Sequence, residues 1–209
     1  CSPSSVIRVT IGPKTFEFGT RTYVMGVLNV TPDSFSDGGL YLDPGRAVDR
    51  AHQMVEEGAD IIDVGGASAG FKARPVSPEE EVARLRPVLQ RLCRELPVPV
   101  SVDTHRKLVA QAALDLGASM INDISGLRGD PGLAATIASY GAAVVVMHMK
   151  GTPAAPDRNP IYYDPVAEAL EDLMAGIRRA MEAGIPREKI VVDPGIGVAK
   201  RTEHNLTLL

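Results

Sequence analysis

The stretch Met25-Gly-Val-Leu-Asn-Val-Thr-Pro-Asp-Ser-Phe-Ser-Asp-Gly-Gly39 decides the fold. Its approach, Tyr23-Val24-Met25-Gly26-Val27-Leu28, is an apolar run of the length of a buried strand. From Asn29 the run gives way to a polar segment carrying Thr31, Pro32, Asp33, Asp37 and two glycines. That composition is too polar for a core. A strand that delivers Asn, Thr, Ser and two carboxylates into a long loop is what the C-terminal rim of a parallel barrel uses for its site. A turn built from Asn, Asp, Pro and Gly for backbone geometry alone has the same composition, so the rest of the chain has to arbitrate.

Upstream, residues 6–11 and 14–18 alternate apolar and polar around Gly12-Pro13 and predict a β-hairpin. Downstream, Ala47, Val48, Ala51, Met54 and Val55 fall at helical spacing in 43–58. A short strand, 60–66, follows. Ser77-Pro78-Glu79-Glu80 then supplies an N-cap, a first-position proline and first-turn acids for a helix reaching about Leu96. The alternation continues with strands at 98–104, 119–124, 142–148 and 189–193 and helices at 105–116, 131–140, 164–183 and from 203. Strands alternating with helices at this spacing predict βαβ units and a parallel sheet. A doubly wound sheet would carry a glycine-rich phosphate fingerprint after its first strand, and none is present. Polar residues instead end nearly every strand: Asn29, Asp63, Asp103, Asn122, His148 and Asp193. The expected fold is therefore α/β, a (β/α)8 TIM barrel with an N-terminal hairpin, of which residues 1–209 supply a single domain with about six of eight βα units. Six strands leave an open edge, so two further units or another chain are expected to cover it.

Composition narrows the function. Net charge is −4 with no basic block, which argues against nucleic acid. No apolar run reaches the roughly 18 residues of a membrane span, and no secretory leader pattern is read at the start. Cys1 and Cys93 form neither a disulfide framework nor a metal cluster, so a reducing cytoplasm is expected. Asp103, ending Ser101-Val102-Asp103, can accept from adjacent ring N–H and amino donors; a helix-capping role competes with that. Asn122 offers an amide donor and a carbonyl acceptor suited to a heterocycle edge, and Asp193 is a third strand-end polar group. Convergence of three such residues on one pocket favours the binding reading over three separate turns.

The stretch Met25–Gly39 resembles the signature of the dihydropteroate synthases, which join a dihydropterin to p-aminobenzoate. Val146-Met147-His148-Met149-Lys150-Gly151-Thr152-Pro153, Asn159-Pro160-Ile161-Tyr162-Tyr163 and Asp193-Pro194-Gly195-Ile196-Gly197 match in the expected order. The resemblance implies displacement of diphosphate from 6-hydroxymethyl-7,8-dihydropterin diphosphate by p-aminobenzoate. It places Asp103, Asn122, Met147 and Asp193 around the pterin, and Asn29 on Mg²⁺ beside the diphosphate. Asp33 and Asp37 would stabilise a cation-like pterin or orient the amine, with Phe35 closing over the aromatic substrate. His148 reads as structural. A homodimer is expected by analogy. Such synthases continue for two more strands, so the resemblance covers about three quarters of the family domain.

The resemblance fails at one loop. Where the family reads GGESTRPG, this chain has Gly65-Gly66-Ala67-Ser68-Ala69-Gly70-Phe71-Lys72. Ala69 and Gly70 replace the Thr and Arg that help bind diphosphate and p-aminobenzoate, with Lys72 or Arg74 as less specific charge. Val198 stands where an aromatic often lines the p-aminobenzoate site. Altered sulfonamide sensitivity is one expected consequence. Two other functions compete: a catalytically degenerate pterin binder, and a methyltransferase moving a methyl group from a folate to a corrinoid.

Overall fold

A computed structural model describes residues 6–31, 43–67, 76–151 and 160–209. Strands β1 (Ile7–Ile11) and β2 (Lys14–Phe18) form the expected antiparallel hairpin, with Val9 opposite Phe16. Strands β3 (Met25–Asn29), β4 (Ile61–Gly65), β5 (Val100–Asp103), β6 (Met120–Asp123), β7 (Ala143–Met147) and β8 (Ile190–Asp193) pair in parallel in that spatial order. The order never reverses. A doubly wound sheet reverses at its switch point, so the sheet is a run of six neighbouring barrel staves. Between β8 and β3 the wall is open among the described residues, leaving Val27 and Val192 exposed on the two edges.

The helices α1 (Pro44–Glu56), α2 (Pro78–Glu95), α3 (Lys107–Asp115), α4 (Leu133–Ser139), α5 (Pro165–Glu182) and α6 (Thr202–Leu208) alternate with the strands. Three of the starts are set by side-chain caps. The carboxylate of Asp43 accepts from Gly45 N at 2.9 Å, Ser77 Oγ from Glu80 N at 3.1 Å, and Asp164 Oδ1 from Ala167 N at 3.1 Å. Each cap is followed by proline at the first helical position, whose missing N–H costs nothing there.

Side-chain alternation divides the core in two. Ile62, Val64, Val100, Val102, Ile121, Val144 and Val146 face outward into the layer shared with the helices. Ile61, Met120, Ala143 and Val145 face inward and meet Val9, Ile11 and Phe16 of the hairpin, which plugs the N-terminal end of the staves. The plug is tied on by Asp60. Its buried carboxylate accepts from Lys14 Nζ at 2.6 Å, Arg21 Nη1 and Nη2 at 3.0 and 2.6 Å, and Val24 N at 3.0 Å. Arg21 above all holds that carboxyl well below the usual range. With one end stoppered by apolar side chains, the opposite end is left for the polar strand termini.

Candidate active site at the C-terminal strand ends

One line of register crosses the open end. Asn29 lies opposite Gly65, Gly65 opposite Asp103, and Asp103 opposite Asn122. Register partners share a face, so all four look inward, above the apolar plug. Asn29 is the last residue of β3 rather than the first of the loop, which puts it on a rigid element. Gly65 matters for what it lacks. A Cβ there would stand 3.4 Å from Asn29 Oδ1 and 3.7 Å from Asp103 Oδ2, so the glycine leaves a slot flanked by both oxygens.

One layer deeper sit Asp63 and Ser101, opposite each other on β4 and β5. Asp63 is 2% exposed. Its Oδ2 accepts from Asn122 Nδ2 at 3.1 Å. Burial pushes its pKa up, with the Asn122 amide and the Ser101 hydroxyl beside it pulling the other way, though Ser101 stays short of hydrogen-bond geometry. Asp103 is pushed up to about 8, by burial first and then by the neighbouring Asp63, Glu81 and Asp123 carboxyls. At neutral pH it is therefore largely a protonated acid, able to donate as well as accept. Among the described residues four buried side-chain polar atoms have no hydrogen-bond partner. Three of them are here: Asp63 Oδ1, Ser101 Oγ and Asn122 Oδ1. Buried polar atoms are otherwise almost always satisfied, so a cluster of orphans marks a surface shaped for something else to complete.

On the neighbouring staves Met147 lies opposite Asp193. Met147 is buried. Asp193 Oδ1 accepts from Gly195 N at 2.8 Å, so the turn role and the rim position coexist. The loop after β8 is clamped to the loop after β7 by Lys200, whose Nζ donates to Gly195 O at 2.9 Å, Val198 O at 3.1 Å and His148 O at 3.4 Å. Burial lowers the Lys200 pKa to about 8 against the opposing pull of Asp193. His148 is buried with Nε2 3.2 Å from Asp172 Oδ2, and burial holds it below its usual pKa.

The structure thus brings Asn29, Asp103 and Asn122 together and sets Met147 and Asp193 beside them. Asp33, Phe35 and Asp37 of the first loop, and Ala69 and Gly70 of the second, lie outside the described residues. Sequence reading placed Asp63 among the strand-end residues, whereas it lies in the middle of β4, and gave no role to Ser101, Asp123 or Lys200. The signal for Asp63 was available: a carboxylate inside Ile-Ile-Asp-Val-Gly must have a buried partner. Asp123 faces outward and accepts from Ser125 N, Ser125 Oγ and Leu127 N at 2.8, 2.7 and 2.8 Å, fixing the β6–α4 turn. No group of three or more His, Cys, Asp or Glu among the described residues could hold a metal, and none of their helices is long and apolar enough to cross a membrane.

Residues 25–209 match the family described as pterin binding enzyme. The chain is 44% identical over 197 residues to a dihydropteroate synthase of Bacillus subtilis, covering 94% of this chain and 67% of that one. The dihydropteroate synthase of Xanthomonas albilineans with 4-aminobenzoic acid superposes with a TM-score of 0.88 at 40% identity, covering 98% of this chain and 72% of that one. The same bacterium's enzyme in complex with 7,8-dihydropteroate gives 0.78 at 41% identity, covering 90% and 66%. The chain therefore spans about two thirds of the length of these relatives.

Proposed function

The chain belongs to the pterin-binding enzyme family, among the dihydropteroate synthases, and we propose that it catalyses their transfer reaction in folate biosynthesis. The reaction is condensation of 6-hydroxymethyl-7,8-dihydropterin diphosphate with p-aminobenzoate. The bond from the pterin methylene carbon to the diphosphate oxygen breaks, the amine nitrogen forms a bond to that carbon, and the amine gives up a proton. The products are 7,8-dihydropteroate and diphosphate. The observation that carries this reading is the register line Asn29–Gly65–Asp103–Asn122 at the mouth of the staves, with orphaned acceptors beneath it.

Asp103 and Asn122 read the pterin edge, Asp103 as an acid that both donates and accepts and Asn122 through its free carbonyl oxygen. Met147 packs on the ring face, and Asp193 closes the pocket from β8. A bicyclic heterocycle offering adjacent N–H and carbonyl groups would satisfy what the protein leaves open. The leaving diphosphate lies toward Asn29 and the Gly65 slot. Mg²⁺ fits there as a mostly hydrated ion: Asn29 offers one neutral oxygen, and Mg²⁺ keeps waters and takes phosphate oxygens for the rest. When bound, it neutralises charge on the leaving group. To Asp33 and Asp37 we assign stabilisation of the developing pterin cation, and to Phe35 the aromatic amine, roles supported by the match of that loop to the family signature.

We assign residues 1–209 to one pterin-binding domain of a cytoplasmic homodimer, supported by the family resemblance. The replacement of Thr and Arg by Ala69 and Gly70 favours a second reading, a binder without catalysis. Diphosphate release by the full-length protein, with Mg²⁺, with and without p-aminobenzoate, separates the two. Release that depends on p-aminobenzoate is expected. Pterin binding without release would assign the protein to the degenerate binders.

A further inference from the structure

We infer that Asp63 is a positioning residue that sets specificity: it fixes the Asn122 amide so that the carbonyl oxygen, not the amino group, faces the mouth of the staves. The inference rests on the pterin reading above and deepens it, because it names which edge of the heterocycle the site selects.

The two ends of an asparagine amide have nearly the same shape, and only hydrogen bonding decides which way it points. Here the choice is made from below. Asp63 Oδ2 accepts from Asn122 Nδ2 at 3.1 Å, so the amide presents its N–H₂ to Asp63. Asn122 Oδ1 is left buried and without a partner. Turning the amide over would place two acceptors against each other in a site where Asp63 is 2% exposed and water cannot relieve the repulsion. The mouth therefore contains a fixed acceptor on β6. It rewards a ligand that brings an N–H donor to that point, such as the exocyclic amino group of a pterin, and it leaves an analogue lacking that group with an orphaned oxygen. Asp63 sets this preference through Asn122.

The test compares 6-hydroxymethylpterin with its analogue lacking the exocyclic amino group, by titration calorimetry on the full-length protein. Wild type is expected to favour the amino compound by at least about ten-fold, the ratio of one hydrogen bond against one buried unpaired acceptor. In Asp63→Asn two amides face each other, Asn122 can turn, and the ratio is expected to fall toward about one. The exchange variant Asp63→Asn/Asn122→Asp again sets an amide N–H against a carboxylate and leaves an oxygen facing the mouth, so the preference is expected to return. Asp63→Asn keeping the wild-type ratio, or an exchange variant with no preference, overturns the inference. Should Asp63→Asn alone not fold, the exchange variant carries the test. A wild-type protein that binds neither compound brings down the pterin reading itself. The Asn122 side-chain amide protons of the ligand-free protein give an independent measurement: slow exchange with solvent in wild type and faster exchange in Asp63→Asn, with equal rates counting against the inference.

Discussion

Asp103→Asn is expected to make the protein more stable and unable to hold its ligand. The substitution keeps the side chain's shape and removes its charge. In the folded chain the Asp103 carboxyl is pushed up to about 8 by burial and by the carboxyls of Asp63, Glu81 and Asp123. Unfolded, it returns to about 3.9. The folded state therefore holds this proton where the unfolded state has lost it, so stability falls as pH rises between the two values. Integrating that difference gives a cost of about 1.5 kcal/mol at about pH 5 and about 4 kcal/mol at about pH 7, levelling off above about pH 8. Relaxation and water entry bring the expected measurement to about half of those figures. Urea unfolding of both proteins at about pH 5 and about pH 8 reads the effect directly. Asp103→Asn should gain about 1 kcal/mol at the lower pH and about 2 kcal/mol or more at the higher one. The same variant should lose pterin binding by at least about ten-fold, since an amide cannot match a carboxyl against the same pair of ring groups. A gain that is equal at both pH values, or that shrinks as pH rises, would refute the placement of Asp103 among buried like charges.

The hinge between hairpin and staves gives the opposite sign. Asp60→Ala strands Lys14 and the Val24 N–H, while half-exposed Arg21 returns to water, for an expected loss of about 2 kcal/mol at neutral pH. Because that carboxyl is held well below its unfolded value, its contribution is present above about pH 4 and disappears as pH falls below it; urea midpoints of wild type and variant should converge in acid. Gly195→Ala meets both a left-handed φ of 68° and the His148 carbonyl oxygen, so it should displace the Asp193 loop and raise KM for the pterin substrate by about ten-fold or more with a smaller change in melting temperature. The departures at Ala69 and Gly70 should weaken inhibition by sulfonamides that extend beyond the p-aminobenzoate position; sulfamethoxazole inhibiting this enzyme as tightly as an ordinary synthase would remove that expectation.

Much of the fold was legible because parallel strands covered on both faces read as plain apolar runs. Ala143–Met147 announces itself that way, and Ser77-Pro78-Glu79-Glu80 marks the start of α2 by capping chemistry alone. Element ends were less exact. Pro131 suggested a helix start that the backbone delays to Leu133, whereas Asn29 closes β3 as the sequence pattern predicts. The strand-end positions of Asp103, Asn122 and Asp193 could be read, because a polar residue closing an apolar strand stands out. Their partners could not. Asp63 meets Asn122 across 59 residues of chain, and Lys200 reaches the His148 carbonyl across 52. Nothing in local spacing reports a contact that only the barrel curvature makes.

The two kinds of buried acid in this chain separate structure from function. Asp60 and Asp123 are each surrounded by donors, four hydrogen bonds on one and three on the other, and each holds a turn or a plug in place. Asp63 and Asp103 sit at the same depth or nearer the mouth with too few donors, beside a serine and an asparagine that also lack partners. Folding alone would be served by replacing that second group with apolar side chains of similar volume, as the inner face does with Ile61 one layer below and with Met120 and Ala143 beside Ser101. Such a group lowers stability, and the pterin of the proposed function, a polar, flat molecule lying on top, would satisfy it. On the proposed function the destabilised floor and the pterin site are the same object.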